Sequence, residues 1–78
     1  MTISEAIKKR IEDLCNTKKF STNKLSTNAG ITNSTISSIL SGKTKVPKAD
    51  TLYYICVGFD ISLKDFFDDK IFEEIDED

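Results

Sequence analysis

Asn33, Ser34, Thr35 and Ser38 put one amide and three hydroxyls on a short stretch of chain, with Ser37 at its edge. An asparagine amide can pair with adenine N6 and N7. Serine and threonine hydroxyls donate or accept, and the Thr35 methyl suits the methyl of thymine. Lys43, Lys45 and Lys48 follow at once. Their ammonium groups suit phosphate oxygens, which position a protein on a duplex without reading its sequence. Upstream, Thr22 and Asn23 fall at the start of a predicted helix, where side chains and free backbone N–H groups can meet a further phosphate. Polar groups for base edges, flanked by donors for phosphates, describe recognition of double-stranded DNA. The plain alternatives are a helix that is polar because it faces solvent, and lysines that are solvated surface residues.

Positioning these groups requires two short helices and a tight turn. Ser21 is an N-cap type, and Leu25 and Ala29 give the first of the two, about Thr22 to Ala29, an apolar face. Gly30 supplies the left-handed residue that ends it. Thr32 can cap the second, about Asn33 to Ser41, whose Ile36, Ile39 and Leu40 share one side, and Gly42 closes it. Two helices joined by a short glycine-containing turn are the plan of a helix-turn-helix, which presents the start of its second helix to a major groove.

Flanking elements complete a frame. Thr2 and Glu5 can form a capping box for a first helix, about Ile3 to Lys18, with Ile3, Ile7, Ile11 and Leu14 as its buried stripe. Lys8, Lys9, Arg10, Glu12 and Asp13 fall mostly off that stripe and read as a solvated face. Phe20 anchors the turn that follows. Pro47 precedes a fourth helix, about Lys48 to Phe59, burying Leu52, Ile55, Cys56 and Phe59. Gly58 inside it costs about 1 kcal/mol relative to alanine, which points to close packing there. Asp60 falls where a left-handed residue is needed, and Ser62 with Asp65 can cap a fifth helix, Leu63 to about Asp68.

The segments FSTNKLSTNAGITNSTISSILSGKTKVP and TLYYICVGFDISLKDFF resemble the Cro/repressor (Xre-type) family of helix-turn-helix proteins over about residues 5–67. The resemblance implies an all-α, compact five-helix, lambda-repressor-like DNA-binding domain over residues 1–68, with a short acidic C-terminal tail over 69–78. It also implies that Asn33, Ser34 and Thr35 stand at the family's base-contacting first turn. This chain has no Arg, Lys or Gln there, and short side chains reach less far. That pattern points to A/T-containing contacts, water-mediated contacts or reliance on DNA shape. Many relatives pair an arginine of the first helix with a glutamate late in the third; here those positions hold Cys15 and Leu40. Loss of both charges together is a coherent apolar replacement and places Cys15 in the core beside Leu40.

The chain has 78 residues, 38% of them hydrophobic, enough for one small helical core. Its net charge of −2 hides a polarised distribution. Residues 1–50 carry nine basic against four acidic side chains, net +5; residues 51–78 carry two against nine, net −7. The basic part holds the candidate DNA contacts, and the acidic end should point away from phosphates. The two cysteines, Cys15 and Cys56, form no CxxC and have no histidine beside them, so buried free thiols are expected rather than a zinc site or disulfide. No stretch suits a membrane span or a signal peptide, and a cytoplasmic protein is expected. No catalytic motif, cofactor, metal or small-molecule ligand is indicated.

The acidic tail also holds Ile71, Phe72 and Ile75, which with Phe67 form a helically spaced stripe; the alternatives are a further helical turn that packs on the domain or on a second subunit, and a disordered acidic tail, and the apolar spacing favours packing for residues 69–75. The reading is a sequence-specific DNA-binding regulator that inserts its third helix as a homodimer, with the dimer contact expected within residues 53–75. The alternative is an antitoxin-like or antirepressor-like adaptor that binds protein through its apolar and acidic end.

Overall fold

In the computed structural model, which describes residues 1–43 and 46–76, the chain folds into α1 (Ile3–Lys18), α2 (Thr22–Ala29), α3 (Asn33–Leu40), α4 (Ala49–Phe59), α5 (Leu63–Phe67) and a closing 3-10 turn, Lys70–Glu73. No strand occurs among the described residues. The helices start where local side chains can satisfy free N–H groups. Thr2 and Glu5 form the complete capping box. Ser21, Thr32 and Ser62 each accept from the N–H three residues on, at 3.1, 3.2 and 3.0 Å. Three sequence boundaries shift by one residue: Ser41 is the C-cap of α3, Lys48 the N-cap of α4 and Asp68 the C-cap of α5.

Three helices end on left-handed residues. Gly30 was the expected one and Asp60 another, at φ 72° and 60°. Lys19 at φ 58° is a third, and nothing in a lysine announces that conformation.

The core joins Ile7, Ile11 and Leu14 of α1, Leu25 of α2, Ile36 and Ile39 of α3, Leu52, Ile55, Cys56 and Phe59 of α4, and Phe66 of α5. Phe59, Phe66, Leu25 and Ile55 are almost wholly inaccessible, and each such side chain contributes about 1.5–3 kcal/mol on burial. The Phe20 ring stacks on Phe59 at 5.8 Å. The most extensive helix pairing is α2 on α4. It centres on Gly58: a Cβ placed there would lie 2.9 Å from the Ala29 Cβ and 3.0 Å from the Ala29 nitrogen. The close packing expected from a mid-helix glycine therefore has a definite partner.

Cys56 is buried, but Cys15 is only half-buried, contrary to the expectation of a core position. Both thiols are free, and burial pushes both above the usual thiol range. Cys15 and Leu40 both line, with Phe20 and Thr22, an open groove of about 350 Å³. A short thiol and a leucine leave that seam between α1 and α3 unfilled.

Arg10 departs furthest from expectation. Instead of lying on a solvated face, its side chain is only 15% exposed. Its Nε donates to the Phe66 carbonyl at 2.7 Å and one terminal nitrogen to the Asp65 carbonyl at 2.8 Å. The other terminal nitrogen meets the Asp69 carboxylate at 3.3 Å, and the guanidinium carbon sits 5.9 Å from the Phe66 ring centre. The planar fork thus ties α1 to the end of α5. The expected result of Arg10→Ala is a loss of about 2 kcal/mol, because two carbonyls lose charge-assisted partners. Chemical denaturation of the variant measures it; a loss under about 0.5 kcal/mol would contradict the clamp.

The tail packs on its own domain. Ile71 is buried, Phe72 packs on Phe66 and Phe67 with ring centres 5.9 and 4.9 Å apart, and the 3-10 turn contacts α1. The Asp76 N–H donates to the Met1 carbonyl, and the Met1 amine pairs with the Asp76 carboxylate.

Candidate nucleic-acid interface

The turn between α2 and α3 is built from local bonds. The Gly30 N–H donates to the Ser26 and Thr27 carbonyls, and the Ile31 N–H also reaches Ser26. Ile36 and Ile39 anchor α3 in the core, which turns the opposite side of the helix outward. On that outer side Asn33, Ser34 and Ser37 are exposed, and Thr35 and Ser38 are half-buried. The Thr35 hydroxyl is engaged with that of the capping Thr32 at 2.9 Å. Thr35 therefore offers its methyl more freely than its oxygen. Ser34, Ser37, Ser38 and Ser41 border a concavity of about 320 Å³ that ends at Lys43.

At the start of α2, Asn23 is exposed and Thr22 half-buried against the groove of Cys15 and Leu40. Lys43 and Lys48 are exposed. Lys45, expected to join them, lies outside the described residues. Lys24, not singled out from the sequence, is exposed near the N-terminus of α2, its ammonium 5.3 Å from the Phe20 ring centre.

Helix N-termini carry partial positive charge and attract acids. The first turns of α1, α4 and α5 contain Glu5, Asp50 and Asp65. Those of α2 and α3 contain none. These two helices are the helix-turn-helix pair: Ser21 and Thr32 occupy the Lys24 and Thr35 N–H groups, and no carboxylate in either first turn competes for the N–H groups ahead of those. This signal was present in the sequence, since it needs only the helix starts and the acid positions.

A family model for the Cro/C1-type HTH DNA-binding domain matches residues 2–70. The chain belongs to this family. Neither a curated protein nor a solved structure matches it. As a Cro/C1-type domain it is a DNA-binding protein of the regulator class, all-helical with the helix-turn-helix at α2 and α3. Among the described residues no helix is long and apolar enough to cross a membrane, and no cluster of metal-ligand side chains occurs.

Proposed function

We propose that this Cro/C1-type domain is a cytoplasmic transcriptional regulator that inserts α3 into the major groove as a homodimer. The observation that carries the reading is the pair of acid-free helix starts at α2 and α3, beside exposed lysines. Thr22 and Asn23, with the α2 N–H groups, hold one phosphate, and Lys43, Lys45 and Lys48 hold the phosphates beyond α3. Asn33 reads adenine, and Ser34, Thr35 and Ser38 read neighbouring edges. The concavity along α3 has room for several waters beside hydroxyls that can bind them, which supports water-mediated readout. One domain with so short a reading face gains little discrimination. Two copies on a two-fold axis would read half-sites about 34 Å apart. The dimer contact falls within residues 53–75; Ile71 and Phe72 pack on their own chain, which leaves the exposed Tyr53, Tyr54 and Phe67 as its favoured surface.

Selection of bound fragments from a random DNA pool tests the reading. The expected outcome is a two-fold symmetric, A/T-containing site. Asn33→Ala is expected to lose about tenfold in affinity for that site and to relax the preference for one adenine per half-site, since one bidentate base contact carries about 1–3 kcal/mol. A variant with unchanged preference would remove Asn33 from the reading face. Recovery of no enriched sequence at all would remove sequence-specific binding.

A further inference from the structure

We propose that the groove between α1, the start of α2 and the end of α3 binds a small organic cation, an amine or guanidine on an apolar body, with its charge on Glu12. This goes beyond the DNA-binding reading and does not depend on it. Cys15, Phe20 and Leu40 are half-buried and pack on the core from α1, the turn after it and α3. Their free sides line the groove, whose volume of about 350 Å³ falls at the small end of ligand pockets. Covering such an apolar floor with an apolar body removes both from water and is favourable.

The rim selects a cation. Lys9, Glu12, Asp13 and Asn16 border the same groove from α1. The Lys9 ammonium pairs with the Asp13 carboxylate at 3.6 Å, which leaves the Glu12 charge over. Among the described residues Glu12 forms no ion pair. Burial and, after it, the nearby Glu12 charge push the Cys15 thiol above its usual range, so this carboxylate acts on the floor of the groove. A ligand resting on Cys15 finds a negative charge at its edge, and the Asn16 amide oxygen offers a further acceptor.

Other occupants fit less well. A bare metal ion needs several ligands, and no group of three or more side chains able to hold one occurs among the described residues. It would also leave the apolar floor wet. An anion would meet a rim with two carboxylates against one ammonium. A neutral apolar molecule would cover the floor but leave Glu12 unanswered.

The experiment titrates phenethylamine as the cationic probe into the full chain without DNA, with phenethyl alcohol as its neutral counterpart and hydrocinnamate as the anion. Backbone amide chemical shifts in two-dimensional NMR spectra report where each binds. Phenethylamine is expected to saturate with a Kd on the order of 1 mM and to shift the amides around Cys15, Phe20 and Leu40 most. The alcohol and hydrocinnamate are expected to bind about threefold more weakly or worse. Glu12→Gln, a surface substitution that leaves the fold intact, is expected to erase the advantage of the amine over the alcohol. At ten times its Kd, about tenfold protection of Cys15 from alkylation by iodoacetamide is expected from the amine. Equal binding of amine and alcohol, or an undiminished preference in Glu12→Gln, overturns the cation site. Shifts that spread over the acidic C-terminal end without saturating, or an unprotected Cys15, overturn the groove as the place of binding. DNA recognition is untouched by any of these outcomes, because no DNA is present.

Discussion

Gly58→Val is expected to destabilise the domain by about 3 kcal/mol, the cost of forcing bulk into a packed seam. The first added carbon alone would lie 2.9 Å from the Ala29 Cβ, 3.0 Å from its nitrogen and 3.1 Å from its Cα. Two of those three atoms are backbone and cannot rotate aside. α4 would have to retreat from α2, opening the most extensive helix contact of the fold. A chain of this size has about 4–12 kcal/mol of stability in all, so the loss is a large fraction. A thermal midpoint lowered by roughly 12–24 °C corresponds to it. Gly58→Ala should cost less, about 1–2 kcal/mol, because alanine recovers about 1 kcal/mol of helix propensity. Ala29→Gly in the Gly58→Ala background removes the nearest of the three atoms and should restore part of that loss. A Gly58→Val midpoint within a few degrees of the wild type would show that the seam is not tight.

Replacing Lys43, Lys45 and Lys48 together by alanine is expected to weaken binding to every DNA sequence alike. Each neutralised phosphate contributes about 0.9 to the slope of log affinity against log salt, so three contacts reduce the slope by about 2.7. At roughly 0.1 M salt that is a loss of several-hundredfold, while the ratio between preferred and random sites changes little. Titrations across a salt series measure both quantities. An unchanged slope would assign these lysines to solvent. A lost ratio with an unchanged slope would assign them to base reading.

The helix starts were legible because caps act over three residues. Thr2 with Glu5, and Ser21, Thr32 and Ser62, carry their partners with them in the sequence. Gly58 was legible as a close contact, but not its partner, since Ala29 comes near only through tertiary packing. Arg10 was not legible at all. Two of its acceptors are backbone carbonyls 55 and 56 positions away, and a carbonyl leaves no mark on residue identity. The tail shows a third case. Its apolar spacing revealed a packing surface, but spacing does not say whose surface it meets. For the candidate interface, the residue types were readable and the engagement of the Thr35 hydroxyl with Thr32 was not.

The outer row of α3 and the inner row share no side chain: Ser34 and Ser37 look outward, while Ile36 and Ile39 fill the core. Exposed positions of this kind accept exchange within about 0.5 kcal/mol. A lineage carrying this fold can therefore rewrite its outer row by single codon changes without first acquiring stabilising ones. Serine is a permissive ancestor for such drift, because it blocks nothing and commits to little. On the proposed reading, in which this row faces the base edges, the preferred target is free to diverge faster than the architecture.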